Sequence, residues 1–250
     1  MKSLLASFVC RRLSNRYLDD THRPLHCLVF LVPLLVAHEV GTHLWSELGP
    51  TDYQPRVGAF VLLQWFISLF GETTSFLPAL AVVVILLSWH LAARDRWTIR
   101  VTTLAGMVAE SVAWALPLFV FHDVLQTAAT APRRAQFVSD LVLSIGAGIY
   151  EELVFRLILI GLLVLLLIDC FGLPRSGTMV AIVLVTAGAF AGYHHLPPSV
   201  EPFSALSFLF RTGAGVYLAG LFLYRGFGVA AGSHAAYNVV AISLEALQHG

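Results

Sequence analysis

Three short clusters in this 250-residue sequence carry side chains able to move protons. The first, Tyr150-Glu151-Glu152-Leu153-Val154-Phe155-Arg156, puts two carboxylates and a guanidinium between apolar runs. On a helix Glu152 and Arg156 share a face four residues apart and can pair. Glu151 is rotated by about 100° from Glu152 and faces elsewhere. The second cluster is Phe190-Ala191-Gly192-Tyr193-His194-His195, with Phe190 and His194 one turn apart. The third is Ser233-His234-Ala235-Ala236-Tyr237-Asn238, where His234 and Asn238 share a face. A carboxylate, two imidazoles and a carboxamide on separate segments suit water activation. A glutamate in a dry pocket becomes a usable general base near neutral pH. A neighbouring His can orient the water or protonate a leaving amine. Asn and a second His can donate to a developing oxyanion, each donor being worth about 2.7–4 kcal/mol.

Each cluster also has a plainer reading. The glutamates could sit in a loop between spans with an ordinary salt bridge. His194 could be an interfacial residue where a helix stops before Pro197-Pro198. His234 and Asn238 could be interhelical glue. Adjacent glutamates with apolar flanks fit the plain reading poorly, because a charge at membrane depth costs roughly 2.5–3.5 kcal/mol on insertion scales.

The elements that must position these residues are membrane helices. Hydrophobic residues make up 58% of the chain and Asp, Glu, Lys and Arg only 12%. A soluble domain carries roughly 25% charged residues, so this chain cannot cover itself with a polar surface. The expected fold is all-α, a polytopic transmembrane bundle. Residues 1–23, with Lys2, Arg11, Arg12, Arg16 and Arg23, read as a basic cytoplasmic arm and not as a signal peptide. Residues 24–136 read as N-terminal transmembrane helices. Apolar runs at 25–46, 57–93, 98–121, 137–155, 157–171, 177–195, 204–224 and 227–247 predict about eight spans. Gly71-Glu72-Thr73-Thr74-Ser75 divides 57–93 into 57–70 and 76–93. Basic residues before the first span and at Arg94, Arg96 and Arg100 are both cytoplasmic if 57–93 crosses once, with Arg133 and Arg134 then opposed. Gly188 with Gly192, and Gly228 with Gly232, predict close helix approach.

The order of the motifs identifies a resemblance. EExxxR (Glu151, Glu152, Arg156), FxxxH (Phe190, His194) and HxxxN (His234, Asn238) on consecutive hydrophobic segments resemble the CPBP (Abi) family. That family contains the type II CAAX prenyl endopeptidases and relatives in bacteriocin processing and self-immunity. The likeness covers about 137–247, expected to be the catalytic membrane core. It implies an intramembrane endopeptidase with Glu151 as the base, His194 as its partner, and His234 and Asn238 stabilising the oxyanion. Glu152 and Arg156 would support the first motif, with Arg156 structural, and Phe190 would pack. His195 stands beside the matched position.

No cofactor is expected. The alternative is zinc held by Glu151, His194 and His234, a His₂Glu set of the kind found in catalytic zinc sites. HExxH is absent; in His38-Glu39-Val40-Gly41-Thr42-His43 the imidazoles are five apart and do not share a face. There is no GxSxG. Cys10, Cys27 and Cys170 form no CxxC, and Asp169 beside Cys170 has no His nearby in sequence. Net charge is zero with no basic stripe, so nucleic acid is excluded as a partner. The expected partners are membrane lipid and a peptide or protein substrate, lipid-anchored ones included. The expected location is a bacterial cell membrane, multi-pass, with the N-terminus cytoplasmic. The alternative function is a non-enzymatic transporter or proton relay built on the same Glu and His residues.

Overall fold

The computed structural model describes residues 16–48, 58–69, 71, 76–126, 137–196 and 202–249. Among them there is helix and no strand. The elements are α1 (Arg16–Thr21), α2 (Pro24–Leu48), α3 (Gly58–Ser68), α4 (Leu77–Ala93), α5 (Val101–Gln126), α6 (Phe137–Cys170), α7 (Arg175–Tyr193), α8 (Ala205–Arg225) and α9 (Phe227–His249). Residues 1–15, the divider at 72–75, Arg133, Arg134 and Pro197-Pro198 lie outside the described residues.

Six helices are long and apolar enough to cross a membrane: α2, α5, α6, α7, α8 and α9. Their outer faces are the reverse of a soluble protein's. Val108, Val112, Leu116 and Val120 form an exposed stripe at helical spacing along α5, a surface that suits acyl chains. Pro33 and Pro117 lie inside α2 and α5, as membrane helices tolerate.

The runs at 137–155 and 157–171 are not two spans. They form one helix of 34 residues, so the expected count of about eight is not reproduced. Nothing between them can turn the chain, since Arg156 is buried and paired within the bundle and Gly161 sits at ordinary helical angles. At 1.5 Å per residue the rod approaches 50 Å, longer than a hydrocarbon core of about 30 Å. Glu151 and Glu152 fall close to its middle. Its turns widen to π-helix at Leu153–Ile160, directly after the glutamates, and such wide turns gather at functional positions.

One end of the bundle is fixed by charge. Asp20 is buried and pairs with Arg23 at 3.1 Å and with Arg100 at 3.5 Å. The described part of the arm is therefore docked against the bundle. Tyr17 donates to Glu110 at 2.7 Å, and burial next to that carboxylate pushes its phenol up to about 12. Glu110 also takes a two-pronged ion pair from Arg225. Gly226 turns the chain between α8 and α9 at φ 88°, where a Cβ would lie 3.0 Å from the Thr21 carbonyl oxygen. Thus α1, the 94–100 connection and the α8–α9 turn share one end. Helix α2 leaves that end and α4, of 17 residues, returns to it. The 11-residue α3 makes no net crossing.

Candidate active site

The floor of the site is the middle of α6. Glu151, Glu152 and Arg156 are all buried. Glu152 is held through one oxygen: its Oε1 meets Arg156 Nη1 at 3.1 Å and His234 Nδ1 at 2.9 Å. The guanidinium lies 4.3 Å above the Phe190 ring, a cation–π contact that desolvation strengthens. With Arg156 donating to the same oxygen, Oε1 of Glu152 is an acceptor and Nδ1 of His234 is the donor. Glu152 and Arg156 form an anchor that orients His234.

Glu151 is differently placed. Its Oε1 is 3.7 Å from His194 Nε2 and its Oε2 is 3.7 Å from His234 Nε2. His194 Nδ1 is 2.7 Å from the Phe190 carbonyl oxygen, one turn back on α7. A carbonyl only accepts, so that nitrogen carries a proton and the neutral ring turns its Nε2 lone pair toward Glu151. A carboxylate oxygen and an imidazole lone pair, 3.7 Å apart, cannot bond to each other. A water donating one hydrogen to each satisfies both.

The pattern that named these residues is spatially coherent. Glu151, Glu152, His194 and His234 come together from α6, α7 and α9. Arg156 and Phe190 stack beside them. His195, adjoining His194, turns away and packs against Phe203 at 5.2 Å. Asn238 follows His234 by one turn and is half-buried, without a side-chain hydrogen bond to the cluster among the described residues. His38 and Glu39 have a packing role: His38 Nδ1 reaches the Val142 carbonyl oxygen at 2.9 Å, and Glu39 accepts from Tyr150 at 2.7 Å. Both tie α2 to α6, and His43 is exposed.

The zinc alternative can be tested on donor placement. No three His, Cys, Asp or Glu side chains among the described residues converge as a metal requires. The two imidazoles of the Glu151, His194, His234 set address different oxygens of one carboxylate.

Residues 133–240 match the family model of the type II CAAX prenyl endopeptidase Rce1-like proteins. That segment is similar to the Rce1-like family. No curated protein and no solved structure matches the chain. The Rce1-like segment runs from just before α6 into α9 and so contains every member of the Glu–His cluster. The likeness is to a family of prenyl endopeptidases.

Two features of the Rce1-like segment are not visible in its motifs. Tyr193 donates to Glu151 Oε1 at 3.0 Å; in sequence it reads as an interfacial tyrosine at a helix end, and its only signal is that it adjoins His194. Gly148 is the second. A Cβ there would lie 2.5 Å from the Ala235 amide nitrogen, so α6 and α9 touch backbone to backbone beside His234. The flagged glycines divide: Gly228 and Gly232 are tight against Met107 and Ser111, whereas Gly188 and Gly192 face open space. On α7 the close contact is instead Ala187 against Gly215. Gly148→Ala is expected to push α9 outward and part His234 from Glu152, lowering cleavage at least about tenfold, since misplacement by about 1 Å can cost 10²-fold. Ser at the same position should do the same, and unchanged cleavage by purified Gly148→Ala protein would refute the close approach.

Proposed function

We propose that this protein is a membrane-embedded endopeptidase that hydrolyses a peptide bond near the membrane-anchored end of its substrate, using Glu151 and His194 to activate water. The observation that carries this reading is the 3.7 Å separation between Oε1 of buried Glu151 and Nε2 of partly buried His194, both proton acceptors when the imidazole is neutral. A water donating to both has its lone pairs turned outward, toward a carbonyl carbon.

As the water oxygen attacks that carbon, its proton passes to Glu151 and the carbonyl oxygen becomes an oxyanion. The C–N bond then breaks as the proton reaches the leaving amine from Glu151 or by way of His194. His234 carries a proton at Nδ1 toward Glu152; with a second at Nε2 it donates to the oxyanion. With the oxyanion formed, its charge and that of Glu152 are balanced by Arg156 and the doubly protonated His234. Asn238, one turn on, supplies a second donor once substrate is in place. Glu152 and Arg156 keep His234 aligned. No step needs a metal.

The family match favours hydrolysis over the transporter or proton-relay alternative. A buried site suits a substrate that is itself held in the membrane, lipid-anchored peptides included. The test is cleavage of a membrane-anchored reporter peptide by purified protein in lipid vesicles. Glu151→Ala and His194→Ala are both expected to lose cleavage while remaining folded, and wild type is expected to keep it in a strong chelator. Full activity in Glu151→Ala would sink the mechanism. Loss on chelation with recovery on adding zinc would overturn the metal-free step.

A further inference from the structure

Resting on that reading of Glu151, we propose that Tyr193 is a positioning residue for the base, with its own proton direction set by the backbone of α3. The phenol oxygen of Tyr193 lies 3.1 Å from the Ala59 amide and 3.0 Å from Glu151 Oε1. An amide N–H can only donate, so it takes a lone pair of the phenol. The single phenolic proton is then directed at Glu151. Proton direction runs one way, from the Ala59 N–H to Tyr193 and from the Tyr193 O–H to Glu151.

The last torsion of a glutamate is broad, and nothing within the side chain decides which way its oxygens point. Glu151 needs them distinguished, because Oε1 faces His194 and Oε2 faces His234. A directed donor on Oε1 makes that distinction. It leaves the second lone pair of Oε1 for the water shared with His194.

The surroundings of the phenol are shaped to hold it. Gly58 opens α3, and a Cβ there would come within 2.8 Å of Tyr193 Cε2 and 3.0 Å of its oxygen. The other side of the ring meets Phe155, with centroids 5.2 Å apart. Helix α3 is too short to span and lies outside the 133–240 match. Its first turn nevertheless delivers a backbone donor to the site, which gives the motif-free N-terminal half a part in it.

Two substitutions disturb the phenol from opposite sides. Tyr193→Phe removes the oxygen and keeps the ring. Gly58→Ala keeps the oxygen and displaces it. Both are assayed in vesicles on the reporter peptide, per folded molecule, beside wild type and Glu151→Gln. The expected result is a kcat lowered about ten- to a hundredfold in each, the range for losing a hydrogen bond to a charged group. KM should stay within twofold, since a residue that only holds the bundle together would not separate the two parameters. Wild-type kcat in both variants, or a change confined to KM, with Glu151→Gln inactive, overturns the role of Tyr193 and leaves the base intact. Should Tyr193→Phe fail to fold, Gly58→Ala alone decides in the same way. Activity in Glu151→Gln instead overturns the reading of the base itself.

Discussion

Glu151→Gln is expected to lower kcat by about 10²–10⁴, the usual worth of a positioned general base, without unfolding the protein. Glutamine has the same shape, and its amide oxygen can still accept from Tyr193. What it lacks is basicity, because an amide oxygen does not take a proton from water at any working pH. The comparison with Glu152 sharpens the expectation. Glu152 is held by Arg156 and His234 through Oε1, an ion pair that serves structure. Glu151 has imidazoles at 3.7 Å on either side and keeps lone pairs for a reactant. Unfolding in detergent checks that the Gln variant is native, and single-turnover cleavage reads the chemical step. A native variant with wild-type turnover would remove Glu151 from the reaction.

Arg156→Met is expected to have the largest effect on stability. The side chain is almost wholly buried, and its partner Glu152 has no exposed surface at all. Met fills much of the space and leaves a carboxylate in an apolar interior with only His234 against it. Breaking a buried pair on one side costs about 3–5 kcal/mol, a large share of the roughly 5–15 kcal/mol that holds a typical domain. Purified yield and the denaturant midpoint should both fall sharply. The double variant Glu152→Gln with Arg156→Met removes both charges and should recover most of the loss in stability while cleavage stays low, since His234 loses its anchor. A single Arg156→Met variant as stable as wild type would show that the pair does not hold the core.

Charge scarcity is what made the site readable. With so few ionisable residues, Glu151, Glu152 and Arg156 stand out between apolar runs, and the helical spacing of Phe190 with His194 and of His234 with Asn238 gives each side chain a face. What the spacing does not encode is the partner of each face. Gly188 and Gly192 look like a packing surface and meet nothing, because lipid covers a glycine ridge as readily as a helix does. Gly148 carried no flag and makes the closest backbone contact to α9. The separation of 137–155 from 157–171 failed for a related reason: charges that pair inside a bundle do not need a loop. Tyr193 was hidden because tyrosines at helix ends usually mark the membrane interface. Glu39 found Tyr150 across 111 positions of sequence, a distance over which no local pattern reports.

The packing of α9 bears on how the site is assembled. Its first half, Phe227–Ala235, is almost entirely buried against α2, α5 and α6, and it brings His234 to the glutamates. The ribosome delivers this helix after all its neighbours. Until then Glu152 has Arg156 but no imidazole, and the gap beside Glu151 has one wall missing. A nascent chain is thus a membrane bundle with an open site, and the proposed catalytic cluster closes only when α9 is inserted.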